Sequence, residues 1–174
     1  MKRLAILTAA SMIGAVGCGS STTSPSSSSP TKPTFTADLR PANEVPPIVG
    51  PEASGSGTAT VTFDVTKDSA GNVTGGTATF VVNLSGFPAG TPINAAHIHP
   101  GAAGTNGGVV FSTSVAAGEV TLATGTGSFV KAGIAPPDPA VIQAIINNPA
   151  GFYFNVHSTL NPGGVARGQL SRVQ

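Results

Sequence analysis

Alternation of apolar and polar residues with a period of two is the strongest pattern in the chain, and it begins near residue 34. Such alternation is typical of strands that bury one face. It is clearest in segments 58–65 (TATVTFDV) and 77–87 (TATFVVNLSGF), which the turn-rich stretch 68–76 separates. We expect these segments to form an antiparallel pair. The residues predicted to face the core are Ala59, Val61, Phe63, Val65, Ala78, Phe80, Val82 and Leu84.

Six further segments have the length and the bounding turn residues of short strands. Seven or eight short strands with glycine and proline between them are typical of a sandwich. We therefore predict an all-β fold, a two-sheet antiparallel β-sandwich of immunoglobulin-like or Greek-key type. The further predicted strands are 34–39, 93–99, 108–115, 119–130, 151–158 and 164–171.

One segment, near 138–148, has the spacing of a helix instead. Asp138 is suited to the N-cap and Pro139 to the first helical position, and Asn148 precedes a proline that would end the helix. The apolar residues recur at helical intervals and form one stripe, which consists of Val141, Ile142, Ile145 and Ile146. We expect this short helical insert to close one end of the sandwich.

The first 33 residues are predicted to lie outside the folded domain. Lys2 and Arg3 precede an apolar run that is too short to span a bilayer, which is typical of a secretory signal peptide over 1–17. The small residues before Cys18, the sole cysteine, resemble a bacterial lipoprotein signal, in which the cysteine is lipidated after cleavage. Residues 18–33 would then form a lipidated, Ser/Pro-rich tether. The alternative is an ordinary signal peptide with an incidental cysteine.

These N-terminal features predict a location and one partner. We expect the folded domain, 34–174, to be extracytoplasmic and anchored to the membrane of the cell envelope through the N-terminal lipid. Gly19, rather than an acidic residue, follows Cys18. This favours the outer membrane or the cell surface.

Composition excludes several classes of function. Charged residues make up 9% of the chain, and from Cys18 onward six Lys/Arg and seven Asp/Glu give a net charge of −1. Nucleic acid is therefore not an expected partner. The glycine-rich stretch 101–108 lacks the residues that complete a phosphate-binding loop, and no nucleophile motif is present. We predict no catalytic residue.

Two of the three histidines, His97 and His99, are one residue apart. Alternation along strand 93–99 places both on one face, together with Ile93, and separates them by two residue rises, about 6–7 Å. In strand 151–158 the apolar residues occupy even positions, which leaves Asn155 and His157 on the opposite, polar face. If the two strands are neighbours, the three histidines converge on one polar patch.

Two hypotheses explain such a patch. Neutral imidazole is the commonest transition-metal ligand, and His97, His99 and His157 with one open position would suit Cu or Zn. Alternatively, His97 and His157 hydrogen-bond loop carbonyls and hold the glycine-rich turn in place.

Arg167 is a second candidate for chemistry, because it lies between small residues near the end of a weakly charged chain. Its guanidinium could bind the carboxylate of a ligand, and Glu44 and Asn155 are the further ligand-binding candidates. The alternative is that Arg167 and Glu44 form a structural ion pair that joins the two ends of the domain.

Four motifs in order resemble the CHRD domain, the module named for its repeats in chordin. The resemblance spans about residues 34–171 and implies a β-sandwich and extracellular placement, with no established activity for bacterial members. The acidic residue that is common beside the arginine of the last motif is missing here. The motifs are ANEVPP (42–47), AAHIHPGAAGTNGGVVF (95–111), FNVHSTLNPGG (154–164) and RGQL (167–170).

A looser similarity connects the His-x-His strand to copper-zinc superoxide dismutase, which is also a β-sandwich. It extends neither to a disulfide nor to a second metal site, because the chain has one cysteine and three histidines. We therefore expect a surface-tethered, non-catalytic CHRD lipoprotein that binds an unknown protein or small ligand through its polar face. The alternative is a mononuclear Cu or Zn protein, with redox or hydrolytic chemistry.

Overall fold

Ten strands form two antiparallel sheets in the computed structural model, which describes residues 32–173. The prediction of an all-β sandwich is confirmed. The strands are Thr34–Leu39 (β1), Ser56–Lys67 (β2), Val73–Ser85 (β3), Thr91–Pro100 (β4), Phe111–Ser112 (β5), Val120–Leu122 (β6), Gly127–Ile134 (β7), Phe152–Ser158 (β8), Ala166–Gln169 (β9) and Ser171–Arg172 (β10).

The strand order is β10-β1-β2-β3-β7 in the first sheet and β5-β4-β8-β9 in the second, where β6 also pairs with β4. The predicted hairpin is β2 and β3, in which Val61 pairs with Phe80 and Phe63 with Ala78. In the second sheet, β8 lies between β4 and β9. The two predicted histidine strands are therefore direct neighbours.

Phenylalanine rings from both sheets fill the core. Phe80 of the first sheet contacts Phe111 and Phe154 of the second, with ring centroids 5.3 and 6.1 Å apart. Phe63 lies against Phe111 at 6.3 Å. The alternation assigned these faces correctly, since Phe63, Phe80 and Phe154 are fully buried, and Val65, which was also predicted to face the core, packs against it partly buried.

Three predicted strands are shortened or divided. The segment 119–130 is not one strand but β6 and β7, which belong to different sheets. The segment 164–171 is likewise divided into β9 and β10, one in each sheet. In 108–115 only β5 is paired. Alternation does not reveal where a chain crosses between sheets, because the side chains continue to alternate on both sides of the crossing.

The alternation predicted that Ile93 lies on the same face of β4 as His97 and His99, and this prediction is wrong. The pairing of β4 with β8 shifts between Ile93 and Ala95. An irregularity of this kind reverses the faces on one side of it. Ile93 is consequently buried in the core with Ala96 and Ile98, while His97 and His99 point away from it.

The predicted helix is present as Ala140–Asn147 (α1), and Asn148 is its C-cap as expected. The N-cap is Pro139 rather than Asp138, so the predicted start of the helix was one residue too early. The Asp138 Oδ1 nevertheless accepts a hydrogen bond from the Ala140 N–H at 2.8 Å, at the start of the first turn. The buried residues of α1, Ile142 and Ile145, complete the core at one end of the sandwich.

Within residues 32–173 no helix has both the length and the apolar character needed to span a bilayer. The predicted signal peptide, the lipidated Cys18 and all but the last two residues of the tether lie outside the described residues. They remain predictions.

Candidate metal centre

The outward face of the second sheet carries a group of polar side chains, which we call the polar layer. The strand register sets its rows: His97 of β4 is opposite Asn155 of β8, and Asn155 is opposite Arg167 of β9. A second row, one pleat further along, begins at His99 and crosses β8 and β9 in the same way. The polar layer consists of His97, His99, Tyr153, Asn155, His157, Arg167 and Gln169.

Three loops cover this face, so the polar layer is a buried network rather than an open patch. Only 2% of Arg167 and 6% of His99 is exposed, and His97 is the only one of the three histidines that is partly exposed. The loops form a roof over the layer and supply hydrogen-bond partners to it. The roof consists of residues 41–47, 101–108 and 159–164.

His97, His99 and His157 lie close enough to share one ion. One nitrogen from each ring can be chosen so that all three lie within 4.8 Å of one another. The Nδ1 of His97 is 3.2 Å from the Nε2 of His157. A tetrahedral ion with bonds of 2.0–2.1 Å spaces its ligand nitrogens about 3.3 Å apart. Small rotations of the rings would therefore bring all three nitrogens to one ion.

The roof fixes the tautomers of two of these rings. The Nδ1 of His99 lies 3.0 Å from the carbonyl oxygen of Gly107, and the Nδ1 of His157 lies 3.0 Å from that of Pro162. Because a carbonyl only accepts hydrogen bonds, both Nδ1 atoms carry the proton. The lone pair of each ring is then on Nε2, and this arrangement is typical of metal-binding histidines.

The Nε2 of His99 is buried and has no hydrogen-bond partner among the described residues. Without an ion, the Nε2 of His157 accepts a hydrogen bond from His97, whose Nδ1 then carries the proton; to coordinate through Nδ1, His97 would carry this proton on Nε2 instead. The hypothesis that His97 and His157 hydrogen-bond loop carbonyls is confirmed for His157 and wrong for His97, because His99 makes the second of these contacts. Those contacts also prepare the two rings as ligands, so the two hypotheses are compatible.

Burial keeps the three rings neutral. Desolvation, with smaller contributions from His157 and His99, lowers the pKa of His97 to about 4. Desolvation also lowers the pKa of His99 and of His157, although the carbonyls that accept from their Nδ1 atoms act in the opposite direction. Neutral imidazole is the form that coordinates a metal.

Arg167 lies at the other side of the polar layer, and roof atoms bind most of its guanidinium. Its Nε donates to the Asn43 carbonyl at 2.7 Å, and its Nη1 donates to the Thr105 carbonyl and to Asn106 Oδ1. The guanidinium also covers the ring of Tyr153 at 4.7 Å. Arg167 thereby joins two of the roof loops to β9.

Glu44 is the ion-pair partner that the sequence predicted for Arg167, with 3.7 Å between its Oε2 and the arginine Nε. Only 6% of Glu44 is exposed, and this burial raises its pKa to about 7 although Arg167 acts to lower it. A Cβ on Gly164 would approach both Glu44 oxygens at 2.9 Å and Asn155 Nδ2 at 2.5 Å. Glu44 and Asn155 are therefore packed around the same glycine.

Three buried polar atoms in this part of the site have no hydrogen-bond partner among residues 32–173. They are Glu44 Oε1, Asn155 Oδ1 and Arg167 Nη2. Glu44 and Arg167 also line a cavity of about 410 Å³ between two roof loops. Unpartnered buried polar atoms are few in native proteins and are often found at functional sites. The structure therefore brings the three ligand-binding candidates together beside the histidines.

Two residues near the centre have no role in the sequence-based hypotheses. The ring of Tyr153 is stacked on His99, with centroids 5.0 Å apart and planes 6° apart. In the sequence, only the position of Tyr153 on the polar face of β8 indicated that it could belong to the site. Glu52, a buried carboxylate beside the roof, lies in a turn where no periodic pattern applies.

The family of the chain follows from a comparison that agrees with this arrangement. No curated protein and no solved structure matches the chain. The model of one family, the CHRD domain, matches residues 35–170, a range that contains the second sheet, the polar layer, its roof and all of the first sheet except Thr34 and β10. The chain belongs to the CHRD domain family.

Proposed function

We propose that this CHRD protein binds one copper or zinc ion through His97, His99 and His157 on the outside of the cell membrane. The observation that carries the proposal is the buried Nε2 of His99, which has no hydrogen-bond partner within residues 32–173 and belongs to a ring whose Nδ1 lies 3.0 Å from the Gly107 carbonyl of the roof. Three histidines with one open position suit either metal. No catalytic step is proposed.

Lipidation of Cys18 would anchor the domain to the envelope through the tether of residues 18–33. The sequence pattern before the cysteine supports this part of the proposal. A stable anchor would retain the metal-binding domain at the membrane while the flexible tether lets it move relative to the surface.

A second candidate function is the binding of a small ligand or protein group at Glu44, Asn155 and Arg167. The three unpartnered polar atoms and the adjacent cavity support it. This site adjoins the histidine cluster, because Asn155 is opposite His97 in the register. The two functions could therefore share one centre.

Titration of the full-length protein in detergent with Cu²⁺ and with Zn²⁺ tests the proposal. The chain has one tyrosine and no tryptophan, and Tyr153 is stacked on His99. Cu²⁺ at the centre should therefore quench the tyrosine emission at a stoichiometry of one ion per chain. Zn²⁺ should compete without quenching. The variant with His97, His99 and His157 all replaced by alanine should show neither effect, and quenching that persists in this variant would overturn the proposal.

A further inference from the structure

Glu52 is a buried carboxylate outside the polar layer, in the short 3₁₀ turn Pro51–Ser54. Only 2% of it is exposed, and no lysine or arginine within residues 32–173 forms an ion pair with it. Its Oε2 accepts hydrogen bonds from Ser158 Oγ at 2.7 Å and from Asn161 Nδ2 at 2.5 Å. Burying a carboxylate is costly, so a role is expected for a buried glutamate that is held by two hydrogen bonds and no ion pair.

Both partners of Glu52 belong to the connection between β8 and the roof loop 159–164. Ser158 is the last residue of β8, and its Oγ also accepts a hydrogen bond from the Asn161 N–H at 3.0 Å. The Gly164 N–H donates to the Asn161 carbonyl at 3.1 Å. Glu52 and Ser158 therefore hold Asn161, and Asn161 holds the turn that follows it.

Pro162, the next residue of this turn, provides the carbonyl that lies 3.0 Å from the Nδ1 of His157. The position of that carbonyl decides which nitrogen of His157 carries the proton. If the turn moved, His157 could place its proton on Nε2, and that nitrogen would no longer be a ligand.

We infer that Glu52 is a positioning residue for the metal centre, and that it acts through Asn161 and the Pro162 carbonyl to present the Nε2 of His157. This inference rests on the proposed metal-binding function. Groups that orient a histidine ligand typically contribute 10–100-fold to metal affinity. The negative charge of a carboxylate makes both hydrogen bonds stronger than a neutral acceptor would.

The test combines metal affinity with the tautomer of His157 in the full-length protein. Glu52→Ala and Asn161→Ala should each weaken Zn²⁺ binding by about 10–100-fold. Glu52→Gln keeps an acceptor oxygen and should restore most of the affinity. Glu119→Gln is the matched control, because Glu119 is an exposed carboxylate that pairs with Lys131. It should bind Zn²⁺ as the wild type does.

Nitrogen NMR shifts of the histidine rings separate positioning from loss of structure. Without added metal, Glu52→Ala and Asn161→Ala should shift His157 from the Nδ1–H tautomer towards the Nε2–H tautomer and leave His99 unchanged, since a different roof loop holds His99. Asn161 lies in a surface loop, so its variant provides the result even if Glu52→Ala does not fold. Unchanged His157 shifts together with wild-type affinity in Asn161→Ala would overturn the inference. If the wild type bound neither ion, the proposed function would fail, and the tautomer measurement would still decide the role of Glu52.

Discussion

The three histidines differ from exposed imidazole in their acidity, and this difference sets the pH range of metal binding. Burial lowers the pKa of all three, that of His97 to about 4, from the ordinary value near 6.5. Protons therefore compete with a metal only at lower pH. We predict that the midpoint of the pH dependence of Cu²⁺ affinity lies below pH 6.5, and that binding is lost once His97 is protonated, as the pH falls towards 4. A binding midpoint at or above pH 6.5, measured by Tyr153 emission, would contradict this.

The same shift affects folding stability. Because the folded-state pKa of His97 lies below its unfolded value, the unfolded chain takes up a proton first as the pH falls. The contribution of His97 is therefore fully present above about pH 6.5 and is lost between that pH and about 4.

Individual residues of the centre were predictable to different degrees. His97, His99 and His157 could be placed on polar faces because the direction of a side chain in a strand is a local property. That the three histidines lie close together then followed from one assumption, that β4 and β8 are adjacent strands. The contacts of the roof could not be predicted in this way, because residues as far apart as Asn43 and Arg167, 124 positions, form them. Glu52 gave no signal, since no pattern distinguishes a buried acid in a turn.

At the level of the elements, the face assignment of the long strands can be tested by truncation. Phe80 in β3 and Phe154 in β8 are fully buried and contact each other across the core. We predict that alanine at either position lowers the free energy of unfolding by about 3–5 kcal/mol. Thr60→Ala on the other face of β2 should change it by less than about 1 kcal/mol. Denaturant unfolding measures both, and equal losses at Thr60 and Phe80 would show that the faces are wrongly assigned.

The roof loop 159–164 offers a matched pair of glycines. Gly164 has a φ of +136° and lies against Glu44 and Asn155, whereas a Cβ on Gly163 would meet no atom within 4 Å. We predict that Gly164→Ala destabilises the protein by about 1–3 kcal/mol and weakens metal binding. Gly163→Ala should stay within about 1 kcal/mol of the wild type. Thermal unfolding and Zn²⁺ titration compare the two, and equal effects would exclude a special role for Gly164.

Alternation predicted long elements better than short ones. The hairpin of β2 and β3 was predicted because each strand spans many periods of the pattern. β5 has two residues and β6 three, which is too short for a period to be recognised. The helix was predicted because its apolar residues recur at helical intervals and because Asp138 and Asn148 lie close to its ends, although Pro139 is the N-cap.

For the whole molecule, the predicted anchor can be tested without reference to the metal. Lipidation of Cys18 should direct the protein to the membrane fraction, and Cys18→Ser should release it into the soluble fraction because no acyl chain can then be attached. Fractionation of cells followed by immunoblotting measures the distribution. Identical distributions of the wild type and the variant would exclude a lipid anchor at this residue.

The position of the histidines on two neighbouring strands has a consequence for the stability of the domain. The chain has a single cysteine and so cannot form an internal disulfide. An ion that joins β4 to β8 would cross-link residues as far apart as His97 and His157, 60 positions. Because the unfolded chain lacks this arrangement, an ion at 100 times its dissociation constant would add about 2.7 kcal/mol to the free energy of unfolding. The metal would then act as a reversible cross-link, and its contribution to the free energy of unfolding would depend on the concentration of the free ion.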